Sequence, residues 1–155
     1  GHKGKRAHHI VNSLYLKPDE LEKSVADRFA RYETIKENET DAELYLTEDC
    51  DILLCAFGAT ARVVKSAVNE ARAMGIKAGL FRPKTLWPFP VKELNEAAKS
   101  AKKLLSVEMS MGQMIDDIKL AINCSKPVEF YGRTGGIIPN PAEILAEIKK
   151  VGGAE

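Results

Sequence analysis

Cysteine and histidine are scarce in this sequence of 155 residues. The three cysteines, Cys50, Cys55 and Cys124, form no Cys-x-x-Cys pair, and no histidine lies beyond position 9. This spacing offers neither a zinc site nor an iron–sulfur frame, and no imidazole that could activate a cysteine nucleophile. We therefore interpret the cysteines as reduced thiols of a cytoplasmic protein, with Cys55 as a small buried residue of the apolar run DILLCAF.

The sequence also lacks an excess of charge of either sign. Its 23 basic residues are balanced by 22 acidic residues, which argues against nucleic acid as a partner. No stretch of about twenty apolar residues is present, and the amino terminus has no hydrophobic signal, so we expect neither a membrane span nor export. The chain opens with Gly-His rather than methionine. We expect a tag remnant at the start of a fragment of a longer protein.

Three segments follow one another along the chain. Residues 1–17 carry four basic and no acidic side chains, and we interpret them as a tag remnant and a linker or arm. Residues 18–43 are predicted to form an amphipathic connecting helix that ends near Asn38. Its apolar stripe consists of Leu21, Val25, Phe29, Tyr32 and Ile35. Such a stripe packs more often on its own domain than on a partner. Residues 44–155 then form one domain.

Four short apolar runs, each followed by a helical pattern, predict an α/β fold. The strands are expected at 51–57, 77–81, 103–109 and 127–131. The helices are expected at 60–74, 91–101, 113–122 and from Asn140, where Pro141 and Glu143 fit a first-turn proline and a capping box. Because the strands are continuously apolar, we expect a three-layer α/β/α arrangement with a mostly parallel sheet. The sequence LYL at 44–46 is a candidate for a short edge strand.

The loops at the carboxyl ends of parallel strands share one edge of a sheet, and ligands bind there. The candidate anion or loop-binding residues at this edge are Gly58, Thr60, Arg82, Arg133, Gly135 and Gly136. We expect Arg82 and Arg133 to lie at neighbouring strand ends and to hold an anion, a carboxylate or loop carbonyls. The alternative is that the glycines only shape turns, since neither dinucleotide nor Walker spacing is present. Glu108 has no second titratable partner visible in the sequence, which favours a structural hydrogen bond or ion pair over acid–base catalysis.

An unusual concentration of aromatic residues and prolines marks the stretch LFRPKTLWPFP, residues 80–90. It contains the only tryptophan, Trp87, and three of the seven prolines. Three methionines follow in the next loop region, and large apolar side chains on stiff loops are typical of protein interfaces. The candidate interface residues are Trp87, Phe89, Met109, Met111 and Met114.

Three long segments carry a family resemblance: GIKAGLFRPKTLWPFP, LLSVEMSMGQM and FYGRTGGIIPNPAEIL. Together they resemble the carboxyl-terminal domain of the alpha subunit of 2-oxoacid:ferredoxin oxidoreductases, the transketolase C-terminal-like core domain II. The resemblance covers residues of about 44 to 150. Upstream, VNSLYLKPDELEK is similar to the segment that precedes this domain in the branch acting on 3-methyl-2-oxobutanoate, also called 2-ketoisovalerate.

The resemblance implies an oxidoreductase that converts a branched-chain 2-oxoacid and coenzyme A to an acyl-CoA and CO2, with ferredoxin as the electron acceptor. It implies thiamine diphosphate, magnesium and 4Fe-4S clusters in the parent complex. This chain lacks the family's Gly-Asp-Gly segment and any cysteine cluster, so we expect no cofactor and no catalytic residue in it. The expected partners are other domains and subunits of an oligomeric enzyme, with ferredoxin reached through other subunits.

Two other functions remain open from the residues. One is a free-standing domain that binds a small anion or nucleotide at the sheet edge near Gly58 and Arg133. The other is a non-catalytic protein-interaction module that takes no part in oxidation. If the chain is a supporting domain of a 2-oxoacid:ferredoxin oxidoreductase, as the resemblance implies, we expect it to fold alone but to have no activity of its own.

Overall fold

A computed structural model describes residues 3–153, and its tertiary contacts divide the chain after Glu37 into two compact units. Helix α1 runs from Pro18 to Asn38, and all of it except this last residue belongs to the first unit. Acidic residues in its first turn and Lys36 in its last turn suit the helix dipole. The predicted helix is confirmed, and none of its residues is buried. What its apolar stripe packs against stays a prediction.

The second unit is the α/β domain that the sequence predicts. Its elements are β1 (Ala42–Tyr45), β2 (Ile52–Cys55), α2 (Gly58–Ala73), β3 (Ala78–Pro83), α3 (Val91–Ala97), β4 (Lys103–Glu108), α4 (Met114–Ala121), β5 (Val128–Gly132) and α5 (Pro141–Gly152). The sheet order is β1-β3-β2-β4-β5. Strand β1 is antiparallel to β3, and all other pairs are parallel.

The core lies in two layers, one on each face of the sheet. Along β2, Ile52 and Leu54 join the cluster beneath α2 and α5, whereas Leu53 and Cys55 join the cluster beneath α3 and α4. This alternation follows from the two-residue period of a strand. Because both faces are covered, β2 is buried at every position, which explains its unbroken apolar sequence. The predicted three-layer architecture is confirmed.

The edge strand β1 begins and ends at other residues than predicted, and its pairing changes where β3 ends. It runs from Ala42 to Tyr45, and Leu46 ends it with a φ of 55°. Its pairing with β3 extends that strand to Pro83, since Ala42 lies opposite Pro83 and Glu43 opposite Arg82. Arg82 is therefore a strand residue rather than the first residue of a loop.

Helix α3 is shorter than predicted, ending at Ala97 rather than near residue 101. Ala98 and Ala101 are buried, and the amide of Lys102 donates to the carbonyl of Asp51. The chain leaves the helix early because it must enter β4 at Lys103. Within residues 3–153, no helix is long and apolar enough to cross a membrane.

Candidate functional site

The carboxyl ends of β2, β3, β4 and β5 bring four loops to one edge of the sheet. These loops begin after Cys55, Pro83, Glu108 and Gly132. Such an edge is where open parallel sheets place their functional loops. Several of its side chains are large, apolar and exposed: Phe57, Leu86, Trp87, Met109, Met111, Ile137 and Ile138.

Glu108, the last residue of β4, is buried at this edge of the sheet, with only 2% of its surface exposed. Its Oε1 accepts hydrogen bonds from the Ser106 hydroxyl and from the amide of Ile115, both at 2.9 Å. Its Oε2 accepts from the Ser110 hydroxyl at 2.9 Å, and from the amides of Gln113 at 3.0 Å and Met114 at 3.1 Å. Five donors thus converge on one carboxylate.

The surroundings of Glu108 keep it ionised. Burial alone would raise the pKa of its carboxyl, but the hydrogen bonds from Gln113, Ser110 and the other donors outweigh burial and lower the pKa. Helix α4 has no side-chain cap from its own N-cap residue, Gln113, so the Glu108 carboxylate takes that role. The predicted structural role of Glu108 is confirmed.

The Glu108 network fixes the loop that carries the methionines. Ser110 donates to Glu108 and accepts from the amide of Gly112 at 3.1 Å, which closes the loop on itself. Met109 and Met111 point outward from this loop, and Met111 is 83% exposed. Met114 is only 3% exposed and belongs to the core beneath α3 and α4. The prediction that Met114 is an interface residue is therefore wrong, because it is the first residue of α4 and faces inward.

The Trp87 loop is held at both ends and exposed in the middle. The amides of Lys84 and Thr85 donate to the carbonyl of Asp41. The Phe89 ring packs on Phe81 with centroids 6.2 Å apart, which anchors the other end in the core. Between these anchors Trp87 is 58% exposed. Phe89 is half-buried, so its ring serves mainly as an anchor for the loop.

The two candidate arginines do not lie at neighbouring strand ends. Arg82 is on β3 and Arg133 follows β5, and the sheet order inserts β2 and β4 between these strands. The expectation of adjacency is wrong because strand order does not follow chain order here.

Each candidate arginine already pairs with a carboxylate. Arg82 contacts Glu43 at 3.1 Å, and Arg133 contacts Glu143 at 3.5 Å. The hydrogen bond from Lys65 to Glu43 is the main cause that lowers the pKa of that carboxyl, with Arg82 adding to it against the opposing effect of burial. The Nε of Arg133 is buried without a hydrogen-bond partner in the described chain.

The other candidate anion residues shape turns or lie in the interior. Gly58, Gly135 and Gly136 all have positive φ, at 58°, 66° and 82°, which explains the need for glycine there. Thr60 is buried within α2. An anion site formed by these residues stays a prediction.

Sequence reasoning missed the partners of Glu108 and a slot beside them. Ser106 precedes Glu108 by two residues on a strand. Because side chains two residues apart on a strand lie on the same face of the sheet, the sequence was sufficient to predict that these two are neighbours. The slot holds the Phe130 ring between Gly112 and Gly132, where a Cβ on Gly132 would lie 2.5 Å from the ring. No sequence pattern signals that slot.

Metal-binding groups are not assembled in the described chain. Within residues 3–153, no three His, Cys, Asp or Glu side chains are grouped so that they could hold a metal ion. Cys50 and Cys55 are buried, and burial raises the pKa of both thiols. The donor set of these described residues therefore does not fit a metal–diphosphate site or an iron–sulfur cluster.

Comparison with known proteins identifies the domain. Residues 50–144 match the family described as pyruvate:ferredoxin oxidoreductase core domain II. The chain belongs to this family. The resemblance stated from the three sequence segments is thereby confirmed.

Similar proteins are subunits of 2-oxoacid oxidoreductases. The chain is 44% identical to the ketoisovalerate oxidoreductase subunit VorB of Methanothermobacter marburgensis over 144 residues, which cover 93% of this chain and 41% of that protein. It is 37% identical to the 2-oxoglutarate synthase subunit KorA of the same organism, covering 84% of this chain and 34% of that protein. The chain thus spans less than half the length of these relatives.

A solved structure supports the same fold. The 2-oxoglutarate:ferredoxin oxidoreductase from Magnetococcus marinus, solved with 2-oxoglutarate, coenzyme A and succinyl-CoA bound, matches with a TM-score of 0.76 and 24% identity. The match covers 93% of this chain and 27% of that one. An inactive split-gene transketolase matches with a TM-score of 0.58 and 16% identity, covering 71% of this chain and 40% of that one. Both support the predicted transketolase-like α/β fold.

Proposed function

We propose that this chain is the assembly domain of a 2-oxoacid:ferredoxin oxidoreductase that acts on branched-chain 2-oxoacids. The observation that carries the proposal is the 44% identity to a ketoisovalerate oxidoreductase subunit across 93% of the chain. That alignment extends well before residue 50, where the family match begins, so the amino-terminal segments take part in the similarity. The identity to a 2-oxoglutarate synthase subunit is lower, at 37%.

The reaction proposed for the parent enzyme converts a 2-oxoacid and coenzyme A to an acyl-CoA and CO2. The electrons released leave through 4Fe-4S clusters to ferredoxin. Thiamine diphosphate, held with magnesium, would supply the carbanion chemistry. We place all of these groups in other domains or subunits of a cytoplasmic complex, because the donor set described between residues 3 and 153 does not fit them. No catalytic step is assigned to its residues.

The surface that supports an assembly role is the carboxyl edge of the sheet. Trp87 and Met111 stand out from loops that are fixed by hydrogen bonds at their bases. Each Å2 of apolar surface left in water costs roughly 25 cal/mol, so covering these side chains favours a bound state. Loops that are already ordered lose little conformational entropy on binding. We propose that this edge contacts the remaining domains or subunits of the enzyme.

The geometry favours this role over a free-standing anion-binding domain. Such a site would need cations available to a ligand, whereas Arg82 and Arg133 each contact a carboxylate of the domain itself. A ligand would have to share these guanidinium groups with Glu43 or Glu143, whose negative charges oppose the binding of an anion. A general interaction module would use the same apolar edge, so only reconstitution of the enzyme separates it from the proposed function.

The proposal is tested by a chimera. The 144 matching residues of the Methanothermobacter marburgensis subunit are replaced by this chain, and the complex is assayed for coenzyme A-dependent viologen reduction with 3-methyl-2-oxobutanoate. We expect the chimera to assemble and turn over. Assembly of a complete complex that oxidises no 2-oxoacid would contradict the proposal.

The same chimera tests the assembly surface with a matched pair of substitutions. Met111→Asp places a charge on the exposed carboxyl edge, whereas Met74→Asp places it at the end of α2, on the opposite edge of the sheet. We expect Met111→Asp to reduce co-purification of the other subunits and Met74→Asp to leave it unchanged. Equal losses, or no loss in either variant, would contradict the placement of the surface.

A further inference from the structure

Strand β5 forms one end of the sheet and has the features of a pairing edge. It pairs with β4 in an unbroken parallel register from Val128 to Gly132, with no bulge. On its other side the sheet has no further strand in the described part of the chain. An edge of this kind presents unpaired backbone groups to any strand that can align with it.

The outward groups of β5 can be assigned from the bonds at its two ends. The amide of Leu104 donates to the carbonyl of Pro127 at 2.9 Å, and the amide of Arg133 donates to the carbonyl of Glu108 at 3.0 Å. In a parallel strand, alternate residues bond to the same neighbour. The amides and carbonyls of the even-numbered residues Val128, Phe130 and Gly132 therefore face away from the sheet. No backbone bond to these groups is found among residues 3–153.

The strand lacks the usual protection of an exposed edge. Proteins shield such edges with lysines, prolines, bulges or covering loops. Here Glu129 is the only charged residue on the strand, and the single proline, Pro127, lies before it. Phe130 is 37% exposed, and the slot between Gly112 and Gly132 holds its ring close to the strand. The outward backbone groups of β5 thus have no backbone hydrogen-bond partner among residues 3–153.

We propose that β5 pairs antiparallel with β5 of a second copy of this chain, around a twofold axis at Phe130. The axis places Phe130 opposite its counterpart, Val128 opposite Gly132, and Glu129 opposite Tyr131. Each outward-facing pair exchanges two hydrogen bonds, which gives about six across the dimer. The two sheets become one continuous sheet of ten strands.

Charge and length select this register and favour a second copy as the occupant. A twofold axis one residue earlier would place the two Glu129 carboxylates opposite each other, which is unfavourable. An axis one residue later would leave Val128 without a partner on the opposing strand. The register centred on Phe130 uses all five residues of β5 and opposes no like charges. The strand is therefore complementary to itself, as a twofold interface requires.

Two measurements on the whole chain at several protein concentrations test the proposal. Sedimentation velocity measures dimer formation, and NMR measures the hydrogen-exchange rate of each backbone amide. We expect a dimer to appear with rising concentration. The amides of Val128, Phe130 and Gly132 should slow in parallel with dimer formation, whereas those of Glu129 and Tyr131 exchange slowly throughout because they face β4. A chain that stays monomeric up to about 1 mM, where even weak association registers, overturns the proposal.

A matched pair of variants gives a second measurement. Val128→Pro removes an outward amide at the first position of an edge strand, where proline is tolerated. Val128→Thr keeps both the amide and the branched shape. By symmetry the proline removes two of the hydrogen bonds, so we expect dimerisation to weaken at least about tenfold in Val128→Pro and little in Val128→Thr.

Three further results would overturn the proposal. They are equal dimerisation of the two Val128 variants, a dimer whose even-numbered β5 amides stay unprotected, and protection that appears only when another subunit is added. The last result would assign the edge to a strand from a different protein. None of these measurements depends on Trp87 or Met111, so failure here is distinguishable from failure of the proposed function.

Discussion

The Oε1 atom of Glu108 accepts a hydrogen bond from the backbone amide of Ile115 at 2.9 Å, across the turn that joins β4 to α4. This contact links the last residue of a central strand to the first turn of the following helix. Three backbone amides at the start of α4 bond to the same carboxylate. The position of the loop that carries Met109 and Met111, residues 109–113, therefore depends on the charge of one buried side chain.

Glu108→Gln is expected to destabilise the domain by about 2–4 kcal/mol at neutral pH. The substitution removes the negative charge that strengthens the five hydrogen bonds, and its NH2 group replaces an accepting oxygen with a donor that faces other donors. Since the folded-state pKa of Glu108 is lowered, its contribution is present above the pKa of an unfolded glutamate and is lost as the pH falls toward the folded value. The difference between wild type and variant should therefore shrink at acidic pH. Urea unfolding at several pH values measures it.

The exposed residue Glu39 provides the control for this experiment. Glu39→Gln makes the same chemical change without burial, so we expect a change in unfolding free energy within about 0.5 kcal/mol. A Glu108→Gln variant as stable as Glu39→Gln at neutral pH would show that the network does not hold the turn.

Gly132→Ala is expected to destabilise the domain by about 2 kcal/mol through overpacking. An added Cβ would lie 2.5 Å from both the Phe130 ring and the carbonyl oxygen of Ser110. The carbonyl belongs to the loop that Glu108 fixes, so it cannot move freely. Gly152→Ala is the matched control, because there the nearest atom is the flexible end of Ile52 at 3.3 Å. Thermal unfolding of both variants decides the matter, and equal melting temperatures would contradict the prediction.

The fold could be predicted because it rests on local patterns. The continuous apolar run at β2 and the Asn140 capping box are each readable over a few residues. The capping box is confirmed in full, with the Asn140 side chain bonded to the amide of Glu143 and the Glu143 carboxylate bonded to the amide of Asn140. Such signals need no knowledge of which strands are neighbours.

The site was harder to predict because it depends on strand order and on contacts between loops. Arg82 and Arg133 looked adjacent because both follow apolar runs, yet two strands separate them. Met111 and Met114 cannot be told apart from their spacing. The amide of Met114 donates to the carboxylate of Glu108, and the Met114 side chain is buried whereas that of Met111 is exposed. Neither fact follows from residue spacing alone.

The fluorescence of Trp87, the only tryptophan, reports on the proposed assembly surface. In the isolated chain its exposure predicts emission at long wavelength and efficient quenching by iodide. When the other subunits are added, we expect a blue shift and weaker quenching, because the indole becomes covered. Blue-shifted emission in a demonstrated monomer, unchanged by those subunits, would contradict the interface prediction.

Met111 and Met114 allow the same substitution to be compared three positions apart. Met114→Ala should destabilise the domain by about 2–4 kcal/mol, because its side chain fills the core beneath α3 and α4 and its loss leaves a cavity. Met111→Ala should change the unfolding free energy by less than about 0.5 kcal/mol, because its side chain is exposed. In binding to the other subunits the order should reverse: Met111→Ala weakens association, and Met114→Ala retains it under conditions where the variant is folded. Chemical unfolding and titration calorimetry measure the two quantities separately. If Met111→Ala lowered stability as much as Met114→Ala does, its side chain would belong to the core and not to the exposed edge.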